Sequence, residues 1–228
     1  MAEQIPLFAD FKEGVSFTNY FPASNADVVE RLLKIVTNRD EPLTVIWGKS
    51  GVGKSHLLQA CCQLGAANNL AVAYVPLQQY GNFSVELLDG LEQMQLLCID
   101  DVHAIAGEAT WELGLFNLFN RARESRIPLI FSASGKPSDL NLQLQDLTSR
   151  LNWGLLFHLK ELSDTEKLNA LQFRAEQRGF HLSTEVGRYL MQRSPRDMST
   201  LFALLDKLDQ VSLATHRKLT IPFVKQHL

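Results

Sequence analysis

A phosphate-binding loop is the first feature of this sequence that could do chemistry. The segment Gly48–Ser55 fits the pattern G-x-x-x-x-G-K-[S/T] at every defined position. Gly51 and Gly53 allow the backbone to curl so that its N–H groups point at phosphate oxygens, and the predicted helix after the loop adds its positive dipole end. We expect Lys54 to reach the β- and γ-phosphates and Ser55 to ligate Mg²⁺.

The predicted nucleotide contacts of this loop are Gly48, Lys49, Ser50, Gly51, Val52, Gly53, Lys54, Ser55 and His56. A predicted strand precedes the loop and a predicted helix follows it, which is the context that this motif requires. His56 follows the loop serine, and we expect it on the helix surface rather than as a catalyst. The alternative, a chance glycine-rich turn, does not account for that context.

An acidic strand end supplies the expected magnesium partner. Leu96–Asp100 is an apolar run that ends in two carboxylates, Asp100 and Asp101. We expect Asp100 to hold Mg²⁺ through water and Asp101 to polarise an attacking water. At the end of the next strand, Ser132 and Ser134 are candidates to contact the γ-phosphate. We favour Ser134, but both could equally be ordinary turn serines.

Strands alternate with helices over the first two thirds of the chain. Their apolar runs are continuous, as expected when helices cover both faces of a parallel sheet. The predicted strands are Leu43–Trp47, Ala71–Leu77, Leu96–Asp100, Ile127–Ser132 and Leu155–Leu159. The predicted helices are 24–37, 54–64 with Gly65 ending it, Phe83–Met94 and Thr110–Glu124.

Strand signals stop near residue 160. Ser163 and Glu166 have the spacing of a capping box, and further helices are predicted up to Gly179, over 183–193 and over 196–214, before a short segment 221–228. The sequence therefore predicts three parts: a flexible tail over 1–15, an α/β core of parallel sheet sandwiched by helices over 16–160, and a small all-helical lid over 161–228.

The composition and the absence of certain segments argue against several classes of protein. A net charge of −3 gives no support for a protein that binds duplex DNA by itself. We find neither a signal peptide nor a run of about 18 uncharged apolar residues, and so expect a cytoplasmic protein without a membrane span. Cys61, Cys62 and Cys98 lack metal-ligand spacing, and no second catalytic constellation is present.

Three segments resemble one family. Asp146–Leu155 (DLTSRLNWGL) resembles the box ending S-R-F-G-W-G-L of bacterial DnaA initiators, and Ser194–Leu201 (SPRDMSTL) resembles their sensor-2 segment. Phe17–Phe21 looks like the F-x-N-F that opens their nucleotide domain. The resemblance covers about residues 15–228, and the box around Arg150 is specific to this branch. The chain is thus identified as a DnaA-related protein of the AAA+ type.

The resemblance implies roles for further residues. Phe17, Asn19, Tyr20 and Phe21 would line an adenine pocket for ADP or ATP bound with Mg²⁺. Arg150 would be an arginine finger acting in trans on the nucleotide of DnaA, with the alternative that it is a surface arginine paired with Asp146. Arg196 would sense the γ-phosphate. The initiators carry an acid where Ser134 falls, so we expect weak or absent hydrolysis at the chain's own site.

The N-terminus resembles a second known motif. Gln4–Phe8 (QIPLF) is similar to the Q-L-x-L-F peptide that binds the β sliding clamp of DNA polymerase III, with Gln4, Ile5, Leu7 and Phe8 as the contacts. The alternative is an apolar segment that packs on the core. DnaA initiators continue into a helix-turn-helix domain, and we find none in this sequence.

Together, these features imply a negative regulator of replication initiation. It would stimulate ATP hydrolysis by DnaA and contact DNA only through the clamp, and AAA+ geometry would allow it to self-associate. Two alternatives remain, a helicase loader or transposition ATPase of the DnaC or IstB type, and a plain ATPase with its own substrate.

Overall fold

A parallel five-stranded sheet forms the centre of the first unit. The computed structural model describes residues 15–39, 41–195, 197–215 and 217–227. The strands are β1 (Leu43–Trp47), β2 (Val72–Pro76), β3 (Leu96–Asp100), β4 (Leu129–Ala133) and β5 (Leu155–His158). Their order across the sheet is β2-β3-β4-β1-β5, and every neighbouring pair is parallel. The predicted α/β core with a parallel sheet is confirmed.

Eight α-helices surround or follow the sheet in the described part of the chain. They are α1 (Ala26–Asn38), α2 (Lys54–Ala67), α3 (Ala109–Glu124), α4 (Gln145–Leu151), α5 (Asp164–Gln177), α6 (Thr184–Arg193), α7 (Met198–Thr215) and α8 (Ile221–His227). Helix α4 was not predicted. It lies within the DnaA-like box and carries Arg150.

Burial of the strands follows their position in the sheet. Every residue of β3 and β4 is buried, as is nearly all of β1. β5 lies at the edge, where half-buried and exposed residues alternate, and Leu156 is exposed. The expectation of two covered faces therefore holds for the central strands and is wrong for β5.

The prediction of an α-helix over Phe83–Met94 is wrong. The chain instead forms two short 3-10 segments, Val85–Leu88 and Leu91–Gln93. Between them Asp89 is extended and Gly90 has a φ of +81°. The left-handed glycine interrupts the α-helix that the apolar spacing indicated.

The helix end predicted at Gly65 is also wrong, since α2 continues to Ala67. A Cβ at Gly65 would lie 2.8 Å from Cγ1 of Val72 and 3.3 Å from Cδ2 of Leu96. The glycine therefore allows α2 to pack closely on the sheet and does not end the helix.

The contacts divide the chain into two compact units, Met1–Lys160 and Glu161–Leu228. The second unit is helical, with a core that includes Leu171, Leu205 and Val224. The predicted capping box is confirmed, because the Glu166 N–H donates to Ser163 Oγ (3.3 Å) and the Ser163 N–H donates to Glu166 Oε2 (2.8 Å). None of the described helices is long and apolar enough to cross a membrane.

Candidate functional site

The predicted phosphate loop connects β1 to α2. Gly53 has a φ of +98°, and a Cβ there would lie 2.7 Å from Cε2 of Tyr20. A Cβ at Gly48 would lie 2.6 Å from the Leu159 carbonyl oxygen. Both positions therefore require glycine. The first turn of α2 has no side-chain cap on its N–H groups, which leaves a helix N-terminus of the kind that binds phosphate.

Lys54 is buried at the start of α2, and its amine lies inside the loop. Nζ donates hydrogen bonds to the carbonyl oxygens of Gly48 (2.8 Å) and Lys49 (3.0 Å). Burial lowers the pKa of Lys54, and the carboxylates of Asp101 and Asp100 oppose that shift. The lysine is thus a cation close to two carboxylates, as a nucleotide–Mg²⁺ site requires.

Asp100 ends β3 and is only 3% exposed. Its carboxylate accepts a hydrogen bond from the Tyr74 hydroxyl (Oη–Oδ2, 2.6 Å) and another from the Ser132 hydroxyl. Burial raises the pKa of Tyr74, as do the charge of Asp100 and the hydrogen bond to it. Tyr74 on β2 and Ser132 on β4 therefore hold the carboxylate from both sides.

Asp101 lies beyond the strand in a left-handed conformation, with a φ of +58°. Its N–H donates to Ser132 Oγ (2.8 Å), which fixes the backbone after Asp100. Burial raises the pKa of Asp101, as does the charge of Asp100, whereas His103 and Lys54 lower it. A carboxyl with a raised pKa is a better proton acceptor once ionised, in keeping with the role predicted for it.

The two candidate serines differ in position. Ser132 is fully buried and contacts Asp100 and the Asp101 backbone. Ser134 follows the end of β4 and is exposed to solvent. The structure thus brings Ser132, rather than Ser134, against the carboxylates. The role predicted for Ser134 stays a prediction.

The segment before α1 packs over the loop. Tyr20 Oη donates to the Val52 carbonyl (3.4 Å), and the Tyr20 ring lies 5.5 Å from the His56 ring between centroids. His56 Nε2 lies 3.0 Å from the Ser16 carbonyl oxygen, which accepts a hydrogen bond. Burial raises the pKa of Tyr20 to about 12. Tyr20 and His56 are thus close together.

The other residues predicted for the adenine pocket flank Tyr20 in the sequence. Phe17 and Asn19 belong to a 3-10 turn, Phe17 packs against the hydrophobic core, and Phe21 follows Tyr20 as a half-buried residue. Ser55 lies half-buried in the first turn of α2. Of the remaining predictions, Arg196 and the clamp-peptide residues Gln4, Ile5, Leu7 and Phe8 lie outside the described residues.

Arg150 lies on α4, and its guanidinium contacts aromatic rings. Its Cζ lies 4.1 Å from the centroid of Trp153 and 6.0 Å from that of Phe116. Trp153 is 57% exposed. The alternative was that Arg150 pairs with Asp146. Asp146 is exposed, and among the described residues no ion pair joins it to Arg150.

Glu112 of α3 anchors the chain that leads into α4. It is fully buried, and its carboxylate accepts three backbone hydrogen bonds, from the N–H groups of Gly107 (2.8 Å), Gln143 (3.1 Å) and Leu144 (2.7 Å). Leu147 and Leu151 bury the inner face of α4. The helix that carries Arg150 is therefore attached at its start and along one side.

Sequence reasoning gave no role to Tyr74 or Glu112. Tyr74 is one apolar-looking residue of a strand, and Glu112 follows Trp111 in a helix where glutamate is usually exposed. Neither carries a local sequence signal, because each acts through partners distant in the chain. Trp153 had no predicted role beyond its place in the DnaA-like box, Asp146–Leu155.

The sheet order, the phosphate loop and the acidic end of β3 define a P-loop protein with the AAA+ fold. Residues 7–158 match the family model of the bacterial DnaA ATPase domain, and residues 164–228 match that of the Hda lid domain. The chain therefore belongs to the bacterial DnaA ATPase domain family, combined with an Hda-type lid, as in Hda itself.

Solved structures share this fold. Domain III of DnaA from Thermotoga maritima has a TM-score of 0.78 and 22% identity, covering 96% of this chain and 95% of that chain. AMPPCP-bound DnaA from Aquifex aeolicus has a TM-score of 0.73 and 20% identity, with coverages of 88% and 67%. A putative primosome component from Streptococcus pyogenes has a TM-score of 0.51 and 20% identity, with coverages of 62% and 82%. At these identities the likeness shows the fold.

Proposed function

We propose that this chain binds ADP or ATP at the Gly48–Ser55 loop. The uncapped start of α2 and the Lys54 amine fit the phosphates, and Tyr20 with its neighbours Phe17, Asn19 and Phe21 fits an adenine pocket. Ser55 and Asp100 would hold Mg²⁺, which would neutralise part of the negative charge of the phosphates. A DnaA structure with AMPPCP supports an adenine nucleotide.

Lys54→Met should abolish stabilisation by nucleotide. A ligand at a hundred times its Kd stabilises the folded state by about 2.7 kcal/mol, so the thermal midpoint of the wild-type chain should rise when ADP and Mg²⁺ are added. The variant should show no rise. Lys34→Met, which removes an exposed lysine paired with Glu30 on α1, is the matched control. A normal ADP-induced shift in Lys54→Met would contradict the assignment.

The second part of the proposal is that the chain stimulates ATP hydrolysis by DnaA and so inactivates it as an initiator. Arg150 would enter the nucleotide site of DnaA and stabilise the charge that develops on the transferred phosphate. The observation that carries this proposal is the Arg150 guanidinium, which contacts two aromatic rings and, among the described residues, has neither a hydrogen bond nor an ion pair. Its donors are available to a partner's phosphate.

The chain's own nucleotide would be a structural ligand with weak or absent turnover. Ser134, the residue predicted to contact the γ-phosphate, is exposed and stands where the DnaA initiators carry an acid. A steady-state phosphate-release assay on the chain alone tests this. Turnover at ordinary ATPase rates would contradict it.

Clamp binding is the third part of the proposal. Leu7 and Phe8 are apolar anchors for a groove, and Gln4 can form a hydrogen bond at its rim. The clamp would bring the chain to DNA and to DnaA, so that the chain contacts DNA only indirectly. The support for this part is the sequence motif.

The double variant Leu7→Ala/Phe8→Ala should lose clamp binding and the clamp-dependent stimulation of DnaA. Loss of two buried anchors costs about 2 kcal/mol or more, equal to a Kd roughly 30-fold weaker or beyond. Pull-down with clamp loaded on DNA, followed by a DnaA–ATP hydrolysis assay, measures both effects. Phe11→Ala is the control outside the motif.

The double variant should keep its ADP-induced thermal shift, which shows that the nucleotide domain is intact. Clamp binding at wild-type affinity would contradict the tether. If the wild-type chain binds clamp and nucleotide but does not stimulate DnaA, the regulator proposal fails. The helicase-loader alternative would then be tested by binding to single-stranded DNA.

A further inference from the structure

We propose that Trp153 is the positioning residue of the Arg150 finger: its exposed ring holds the guanidinium at the surface and leaves the hydrogen-bond donors unused. This inference rests on the proposed action of Arg150 in trans. The Arg150 Cζ lies 4.1 Å from the Trp153 centroid, close enough for a cation–π contact.

A short turn brings the two side chains together. The Trp153 N–H donates to the Arg150 carbonyl (3.1 Å), and Asn152 Nδ2 donates to the Thr148 carbonyl (2.9 Å), so the chain turns sharply as α4 ends. The next residue is Gly154, where a Cβ would lie 2.4 Å from Cγ of Leu43 and 2.5 Å from its carbonyl oxygen. The backbone beside Trp153 is thus packed against β1, which fixes the base of the ring.

An aromatic ring suits this task better than a carboxylate. A carboxylate accepts two N–H donors of a guanidinium and neutralises its charge. A ring face attracts the cation through its quadrupole and does not accept the N–H donors as a carboxylate oxygen does. Arg121 shows the other arrangement, because it binds Glu92 (3.0 Å), Asp89 (3.4 Å) and the Leu88 carbonyl (2.9 Å). Arg121 uses its N–H donors to stabilise the fold, whereas the N–H donors of Arg150 are available to a partner.

A second guanidinium shares the ring. The Arg123 Cζ, from the last turn of α3, lies 5.0 Å from the Trp153 centroid. Among the described residues, no ion pair neutralises Arg123. Two guanidinium groups beside one exposed ring place two positive charges near the end of α4, which favours a multiply charged phosphate group over a neutral one.

The test compares Trp153→Leu with Trp153→Phe in the DnaA–ATP hydrolysis assay, with the clamp on DNA and the chain titrated. The leucine keeps an apolar side chain without a π face, and the phenylalanine keeps the face. Trp153→Leu should lower the maximal rate about tenfold and change the half-saturating concentration less than twofold. Trp153→Phe should recover most of the maximal rate. An unchanged ADP-induced thermal shift in both variants shows that they fold.

Two outcomes overturn the positioning role. One is a full maximal rate in Trp153→Leu. The other is an equal loss in both variants with a raised half-saturating concentration, which would make Trp153 part of the docking surface instead. Failure of the proposed function looks different: either the wild-type chain does not stimulate DnaA at all, or Arg150→Ala stimulates it as well as the wild type does.

A readout without DnaA tests the stack directly. Trp153 is much more exposed than Trp111, which is buried, and than Trp47, which is half-buried. Arg150→Ala should therefore increase the quenching of tryptophan emission by acrylamide. Arg193→Ala, which removes an exposed arginine near Tyr189 in the second unit, should leave the quenching unchanged. Equal quenching in wild type and Arg150→Ala would contradict the contact.

Discussion

Arg150→Ala should reduce the stimulation of DnaA ATP hydrolysis by roughly a thousandfold or more, the range found for arginine fingers supplied in trans. The variant should still bind nucleotide and clamp, since Arg150 lies on α4, outside both the phosphate loop and the clamp motif, and its guanidinium contacts Trp153 and Phe116. Single-turnover hydrolysis of ATP by DnaA at saturating chain measures the effect.

Two further variants make this test specific. Arg150→Lys should remain strongly impaired, because an ammonium lacks the planar fork that stacks on Trp153 and binds two phosphate oxygens at once. Arg193→Ala should stimulate normally, although it too removes an arginine lying over an aromatic ring. Full stimulation by Arg150→Ala would exclude the finger.

Glu112→Leu should lower the free energy of unfolding by about 3–5 kcal/mol. The substitution removes the carboxylate that accepts hydrogen bonds from the N–H groups of Gly107, Gln143 and Leu144, and a hydrogen bond to a charged group contributes about 1.5–3 kcal/mol. Glu112→Gln should also be destabilising, because its amide NH₂ must face at least one of these donors. Urea unfolding measures the change.

The control for Glu112 is Glu124→Gln on the same helix. Glu124 is exposed at the end of α3, and its substitution should change stability by less than about 0.5 kcal/mol. A loss below about 1 kcal/mol in Glu112→Leu would mean that the start of α4 does not depend on this carboxylate. In the folded fraction of Glu112→Leu, Arg150 should also be displaced, and the stimulation of DnaA should therefore fall.

The strands and the phosphate loop were predictable because their signals are local. Leu43–Trp47 and Leu96–Asp100 are short apolar runs that end in a glycine or in acids, and both agree with the observed strands. The break at Gly90 was missed, since apolar spacing over Phe83–Met94 resembles a helix until the left-handed glycine is known.

The choice between the two serines depended on strand register, which the sequence does not contain. β3 pairs with β4 so that Ile99 lies opposite Phe131, and Ser132 therefore comes beside Asp100. The same limit applies to Tyr74, whose partner Asp100 lies on the neighbouring strand. The box around Arg150 could be recognised by resemblance, but its attachment to Glu112 and the contact between Arg150 and Trp153 depend on the folded structure.

The most direct test of the account is to find which nucleotide is hydrolysed. DnaA would be loaded with radiolabelled ATP and the chain with unlabelled ADP, and the two would be mixed in a single turnover with clamp on DNA. The account predicts that the label on DnaA is converted to ADP with wild-type chain and remains ATP with Arg150→Ala. Label that stays as ATP with the wild-type chain, although both partners are bound, would contradict action in trans.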